Sequence, residues 1–114
     1  MAESGRPPAA DWRTALREFA EDLRALYGSR LDRVILYGSR ARGDAETLSD
    51  VDVLVVLDQC LDFWGEFHRI SPLASRASLA HGVVLSALPT SVKEFSEADS
   101  TLFVNARREG VPVR

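Results

Sequence analysis

Two acidic residues, Asp50 and Asp52, stand one residue apart at the head of an apolar run, residues 53–57. Because side chains on a strand alternate between its two faces, both carboxylates project to the same face, roughly 7 Å apart along the backbone. Two neighbouring carboxylates repel each other, so either one stays neutral or a cation lies between them. Hard cations such as Mg²⁺ take oxygen ligands and usually share them with substrate phosphates. The pair therefore predicts a site for a metal ion and a phosphorylated ligand.

A glycine–serine turn precedes this acidic pair by ten residues and ends an earlier apolar run, residues 34–37. Gly38 has no Cβ, so a ligand can approach its backbone closely. Ser39 offers a hydroxyl and a backbone N–H, and a short helix beginning there would point its first N–H groups at an anion. Arg40 and Arg42 bring positive charge nearby. One strand–turn–strand unit thus joins phosphate donors to metal-binding acids, a combination that suits a metal–nucleoside triphosphate.

Both halves of this unit resemble the signature of the minimal nucleotidyltransferases. The turn GSRARG, residues 38–43, is similar to the Gly-Ser-x-Ala-Arg-Gly of that family, and SDVD, residues 49–52, to its Ser-Asp-x-Asp. The family belongs to the superfamily that includes DNA polymerase beta and kanamycin nucleotidyltransferase. The resemblance implies a polymerase beta-like palm core and a transfer in which an acceptor hydroxyl attacks the α-phosphorus of a Mg²⁺-bound nucleoside triphosphate and pyrophosphate leaves.

The resemblance also implies roles for particular residues. The implied site has two catalytic, metal-binding carboxylates and three nucleotide-binding residues: Asp50 and Asp52, and Gly38, Ser39 and Arg42. Mg²⁺ is the implied cofactor, and the Gly38–Ser39 turn would hold the β- and γ-phosphates. For Arg42 two interpretations stay open: it orients the loop or touches phosphate, or it forms a structural ion pair with Asp44 or Glu46.

The family pattern has a third carboxylate on a neighbouring strand, which binds the catalytic metal and helps to activate the acceptor. The corresponding strand here is predicted over residues 82–88; it contains no acid, and Ser86 is its only polar side chain. A serine is neutral at pH 7 and is a poor base and a poor metal ligand. Two functions therefore stay open: an enzyme that transfers a nucleoside monophosphate, with AMP the expected group, and a catalytically degenerate nucleotide-binding protein.

The resemblance further implies a protein partner. Small standalone members of the family commonly act as antitoxins that pair with a HEPN-domain toxin, an RNase, and can adenylylate a tyrosine on it. A HEPN partner is thus the implied acceptor, and the alternative is an antitoxin that neutralises its partner by contact alone. A third hypothesis, a small-molecule nucleotidyltransferase, would need a homo-oligomer to complete its acceptor pocket.

Composition limits the class of protein. The 114 residues are 46% hydrophobic and 27% charged, as in an ordinary globular domain. The net charge of −3 and a pI near 5.3 argue against direct binding to nucleic acid. A single cysteine, Cys60, excludes an internal disulfide. No apolar run reaches the length of a membrane span and the first residues lack the core of a signal peptide, so we expect a cytoplasmic protein.

Hydrophobic spacing predicts one α/β domain over residues 11–114, behind a flexible segment of residues 1–10. Its fold class is a small mixed sheet flanked by helices. The predicted elements, in chain order, are a helix over 12–27 capped by Asp11, strands over 33–37 and 51–57, a helix from Asp62 that is kinked or divided in two at Pro72, a strand over 82–88 ended by Pro89, a helical turn over 91–97, and a helix capped by Asp99 or Ser100. Residues 111–113 are predicted to trail off without regular structure.

Overall fold

The computed structural model describes residues 11–43 and 50–113. The predicted flexible segment of residues 1–10 lies outside this range, as do Asp44 and Glu46. In chain order the elements are α1 (Trp12–Tyr27), a 3-10 turn (Gly28–Arg30), β1 (Leu31–Tyr37), α2 (Ser39–Arg42), β2 (Val51–Leu57), α3 (Phe63–His81), β3 (Leu85–Ser91), α4 (Val92–Glu97), α5 (Thr101–Glu109) and β4 (Val111–Pro112). Helices separate successive strands along the chain, and this α/β order confirms the predicted fold class.

The four strands form one mixed sheet in the order β3-β2-β1-β4. β1 runs antiparallel to both β2 and β4, whereas β2 and β3 are parallel. β2 is therefore an interior strand, and a continuous apolar run such as residues 53–57 is typical of that position. Beyond its first two residues it is wholly buried, so the end that carries the acidic pair is the only polar part of the strand.

The larger core lies on the sheet face that α1 and α3 cover, where Phe19, Leu23 and Ile70 are fully buried. The opposite face has a smaller core, in which Phe95 of α4 and Ala106 of α5 pack over the later residues of β2. At the beginning of β2 this second face carries Asp52 instead. Helices thus cover one face of the sheet. They cover the opposite face at one end only, and the other end of that face is polar.

The predicted division of the third helix at Pro72 is wrong, because α3 is continuous over 19 residues. Proline removes a single backbone donor, so one intrahelical hydrogen bond is lost. Burial of Ile70 and Ala74 on either side of Pro72 holds both turns on the core. The Ser71 hydroxyl also donates to the Phe67 carbonyl oxygen at 2.8 Å. The packing of one apolar stripe outweighs the missing bond.

The predicted end of the third strand at Pro89 is also wrong: β3 begins at Leu85, runs through Pro89 and ends at Ser91. The Val51 N–H donates to the Val84 carbonyl oxygen, so in a parallel ladder the even-numbered residues of β3 face β2. The nitrogen of Pro89 consequently faces away from the sheet. A proline costs no ladder bond there, because β3 is an edge strand.

Residues 111–113 do not trail off. Val111 and Pro112 pair with Leu36 and Ile35 of β1, and the Val113 N–H donates to the Val34 carbonyl oxygen at 2.8 Å. A two-residue strand is too short for any periodic pattern to reveal. Within the described parts of the chain, no helix is long and apolar enough to cross a membrane.

Candidate functional site

Three strands bring one side chain each to a common row on the polar end of the sheet. In the strand register Asp52 of β2 pairs with Tyr37 of β1 on one side and with Ser86 of β3 on the other. Directly paired residues share a face of the sheet, so these three side chains are neighbours. Asp50, two residues before Asp52, belongs to the same face.

Ser86 is the neighbour of both acids. Its hydroxyl donates to Asp50 Oδ2 at 3.4 Å, a long hydrogen bond, and its Cα is paired with that of Asp52. A side chain on β3 that could add a third carboxylate to the pair would have to stand at this position. Ser86 therefore occupies the place next to the acidic pair that the sequence predicted for it, and it brings a neutral hydroxyl there.

The acids further along the chain lie elsewhere. Thr90 pairs with Val56, four residues along β2 from Asp52, or about 13 Å at the rise of a strand. The Glu94 carboxylate accepts a 2.7 Å hydrogen bond from Thr90, so it lies at the opposite end of the sheet. Among residues 11–43 and 50–113, no three His, Cys, Asp or Glu side chains form a metal-binding cluster.

The electrostatics of the acidic pair favour a cation. Burial raises the pKa of Asp52, the negative charge of Asp50 raises it further, and Arg42 opposes both effects. Ionising Asp52 beside Asp50 therefore costs free energy in the metal-free protein, and a bound cation would remove that cost. The available donors are carboxylate and hydroxyl oxygens, which fit Mg²⁺ when substrate phosphates supply further ligands.

Gly38 joins the phosphate turn to the acids. It is the N-cap of α2, and its carbonyl oxygen accepts from the N–H groups of Ala41 and Arg42, both at 3.1 Å. The Ser39 N–H lies at the first position of α2 and has no acceptor within the helix. Gly38 has a φ of 77°, and a Cβ built on it would lie 2.5 Å from Asp52 Oδ2. The bare backbone of Gly38 is what leaves room for the Asp52 carboxylate.

We expect Gly38→Ala to weaken Mg²⁺–ATP binding by about 10–100-fold, because the new methyl group displaces the carboxylate of Asp52, the predicted metal ligand. Gly43→Ala is the matched control: Gly43 also has a positive φ, of 79°, but a Cβ there would meet nothing within 4 Å. Both variants should lose stability, by about 1–3 kcal/mol, from backbone strain. Titration calorimetry at a temperature where both are folded separates the two effects, and equal affinities in the two variants would contradict the contact between Gly38 and Asp52.

Arg42 has a partner that local sequence reasoning missed. Its Nη1 lies 3.5 Å from Glu109 Oε2, at the end of α5. Both side chains are partly exposed, so this ion pair contributes little stability by itself. The pair holds the Arg42 guanidinium on the same side of the sheet as Asp52. The positive charge of Arg42 lowers the pKa of Asp52 and so opposes the larger effects of burial and Asp50. The alternative partners Asp44 and Glu46 lie outside the described residues.

Two basic side chains outside this site, Arg107 and His81, have structural partners. Arg107 Nη1 donates to the carbonyl oxygens of Phe95 and Ala98, at 2.8 and 2.9 Å, and so caps the end of α4. His81 Nε2 lies 2.8 Å from Glu18 Oε1, which ties the end of α3 to α1. These contacts explain both residues without a ligand.

The raised pKa of Asp52 predicts how stability depends on pH in the absence of metal. A carboxyl group that binds its proton more tightly when folded destabilises the protein at neutral pH, and this penalty fades as pH falls through the folded pKa. Asp52→Asn should therefore raise the Tm in EDTA at pH 7.5 by up to a few degrees, since a half-buried group is partly screened. The gain should shrink near pH 4. Asp99→Asn, at an exposed carboxylate, is the control; a gain of equal size at both pH values would contradict this explanation.

The nucleotidyltransferase domain family matches residues 16–99, about three quarters of the chain and all of the site described above. The chain therefore belongs to that family. The turn at Gly38 and the acid pair are the features on which the resemblance to the minimal nucleotidyltransferases rests, and that resemblance is confirmed.

Individual proteins agree with this assignment. A protein of Methanocaldococcus jannaschii, provisionally named protein adenylyltransferase MJ0141, is 40% identical over 73 residues, which cover 64% of this chain and 73% of that protein. A solved structure provisionally named a minimal nucleotidyltransferase is 25% identical with a TM-score of 0.58, over 96% of this chain and all of the other. A toxin–antitoxin crystal structure with AMP-PNP shares the fold with a TM-score of 0.59 at 19% identity, over 84% of this chain and 70% of that one.

Proposed function

We propose that this protein transfers AMP from Mg²⁺–ATP to a hydroxyl group on a partner protein. The observation that supports this most is the meeting of two half-sites. The backbone of Gly38, which begins the phosphate turn, lies directly against the carboxylate of Asp52. Phosphate donors and metal-binding acids are thus adjacent without any rearrangement of the chain, as transfer from a metal-bound triphosphate requires.

Each residue of the site has a defined task in this reaction. Asp50 and Asp52 would hold Mg²⁺, and the ion would supply positive charge to offset the charge that builds up on the phosphates. The Ser39 N–H and hydroxyl bind the outer phosphates, and Arg42 places positive charge beside them. The acceptor oxygen bonds to the α-phosphorus while the bond from that phosphorus to pyrophosphate breaks. The proton of the acceptor leaves to bulk solvent, and Ser86, a neutral hydroxyl and a poor base, gives no assistance at this step.

The acceptor and the biological role are inferred from the relatives. The M. jannaschii relative is named for adenylylation of protein, and the toxin–antitoxin structure contains AMP-PNP. We infer that this chain is an antitoxin; that its acceptor is a HEPN-domain toxin is inferred from the resemblance to the minimal nucleotidyltransferases described above. Adenylylation of a toxin tyrosine would add a negatively charged, bulky group to the toxin and so disable it.

A second candidate function has a specific observation in its favour. Ser86, a neutral residue, stands beside Asp52 and Asp50 where a third carboxylate would complete the site. A protein with this site could bind nucleotide and neutralise its partner by contact alone. Transfer of label distinguishes this function from the first.

The experiment uses ATP labelled at the α-phosphate, with Mg²⁺, in the presence and absence of the protein that the neighbouring gene encodes. AMP transfer is supported if that protein becomes covalently labelled. No label should appear when EDTA is present during the reaction, or when the ATP is labelled at the γ-phosphate. Tight binding of the two proteins without label supports the second candidate. Absence of both triphosphate binding and complex formation would refute both.

A further inference from the structure

A groove of about 410 Å³ lies along the outer edge of β3, beside Ser86. Ser86 lines its inner end, together with Tyr37 from across the sheet. Phe67, Ser71 and Ser75 of α3 line its outer wall. Because Ser86 both lines the groove and hydrogen-bonds to Asp50, a ligand that contacts Ser86 in the groove lies next to the acidic pair.

The chemistry of the groove excludes a polyanionic ligand. Its lining residues are aliphatic, aromatic or hydroxyl-bearing, and none of them carries a charge. A bound polynucleotide would need cations along the groove to replace its counterions. An uncharged ligand with apolar side chains loses little on entering such a surface.

An exposed aromatic cluster continues the groove outward along α3. Phe67 belongs to both: its ring centroid lies 6.2 Å from that of Phe63 and 5.7 Å from that of Trp64. Trp64 is 65% exposed and the neighbouring Leu61 90%. Exposed aromatic side chains packed on one another are typical of protein interaction sites.

Buried hydrogen bonds hold the cluster in place. Glu66, in the first turn of α3, is 8% exposed and accepts from the Tyr27 hydroxyl at 2.8 Å and from Arg30 Nη2 at 2.7 Å. These bonds tie the first turn of α3 to the end of α1. The cluster is therefore preorganised, which lowers the entropy cost of binding to it.

The edge of β3 limits how a ligand can bind. Along this edge the Leu85 N–H donates to the Ser78 hydroxyl at 3.0 Å, and Pro89 has no N–H. Of the outward-facing residues Leu85, Ala87 and Pro89, Ala87 alone keeps a backbone donor for another strand. An added β-strand would make few backbone bonds, so the occupant must be held by its side chains.

We propose that the groove and the aromatic cluster receive an uncharged, apolar segment of the acceptor protein and deliver its hydroxyl to the acidic pair. This proposal rests on the proposed transfer to a protein. Apolar side chains of the segment pack on Trp64 and Phe67, and the hydroxyl-bearing side chain enters the groove as far as Ser86. The residues that bind the segment lie outside the nucleotide site. Binding of the segment and binding of nucleotide can therefore be measured and disrupted independently.

Intrinsic fluorescence tests the surface directly. In a Trp12→Phe background Trp64 is the single tryptophan. The probe is the uncharged peptide acetyl-Leu-Ala-Tyr-Leu-Ala-amide, and its comparison ligands are the same peptide with glutamate for leucine and an oligouridylate. We expect a saturable blue shift with the first peptide alone. No saturable shift, or tighter binding of either charged ligand, would overturn the proposal.

Matched substitutions locate the binding. Ser75→Phe fills the groove and Phe67→Ala removes its wall, and each should raise the peptide Kd by at least about tenfold. Ala80→Phe, on an exposed position of the same helix outside the groove, should leave it unchanged. Equal Kd values in Ser75→Phe and Ala80→Phe would place the peptide elsewhere. Calorimetry of the unsubstituted protein with Mg²⁺–ATP separates the two proposals: normal ATP binding without any peptide binding refutes the surface, whereas absence of ATP binding refutes the transferase.

Discussion

Replacing both Asp50 and Asp52 by asparagine is expected to abolish Mg²⁺-dependent binding of ATP and leave the fold intact. Asparagine keeps the size of aspartate but removes the charges that hold a hard cation. Substituting a residue that only hydrogen-bonds to a metal ligand costs about 10–100-fold in metal affinity. Losing two ligands outright should therefore cost at least about 100-fold. Titration calorimetry with ATP, in Mg²⁺ and in EDTA, measures the difference.

The double variant should not be less stable than the original protein. Burial and the charge of Asp50 raise the pKa of Asp52, so ionised Asp52 is itself a source of instability without metal. A normal Tm together with lost binding therefore assigns the loss to the site. The exposed Asp99→Asn variant, which removes one charge outside the acidic pair, should bind normally. Undiminished triphosphate affinity in the double variant would contradict the assignment of these two acids.

Placing a third carboxylate beside the pair, as Ser86→Asp, is the second substitution with a large expected effect. Ser86 is paired with Asp52 and its hydroxyl lies 3.4 Å from Asp50 Oδ2, so a carboxylate there joins the same oxygen cluster. A positioned general base is worth about 10²–10⁴-fold in rate. We expect Mg²⁺-dependent transfer of labelled AMP to rise by that order.

Ser86→Asn is the matched control, since asparagine has nearly the size of aspartate and no charge. It should not accelerate transfer. Without metal, Ser86→Asp should also lower the Tm, because a third negative charge joins two others, and added Mg²⁺ should restore it. If the original protein already transfers AMP as fast as Ser86→Asp, two carboxylates suffice and Ser86 is not the weak point of the site.

The sequence alone determined the elements that local patterns encode. Apolar residues recur at helical spacing over residues 12–27, after the predicted cap Asp11. α1 covers those residues, and the Asp11 carboxylate accepts from the Thr14 N–H. The apolar run after Asp52 predicted β2 to the residue and placed it inside the sheet. The turn from Gly38 and the pair of acids were also predicted from the sequence. Each is a local motif whose residues lie within a few positions of one another.

Tertiary structure decided everything that depends on two distant segments meeting. Strand register set Tyr37, Asp52 and Ser86 in one row, since a shift of one residue would turn Ser86 to the other face. The same register let Pro89 remain in β3, where its nitrogen faces outward.

Three further contacts have the same origin. Glu109 reaches Arg42 across 67 residues of chain, the Asp52 carboxylate fills the space left by the missing side chain of Gly38, and two residues of β4 find a partner in β1. Such contacts form because each segment buries apolar surface against the same sheet, and that burial is a property of the assembled core. Local spacing along the chain therefore encoded the two halves of the site, and the packing of the sheet determined that they touch.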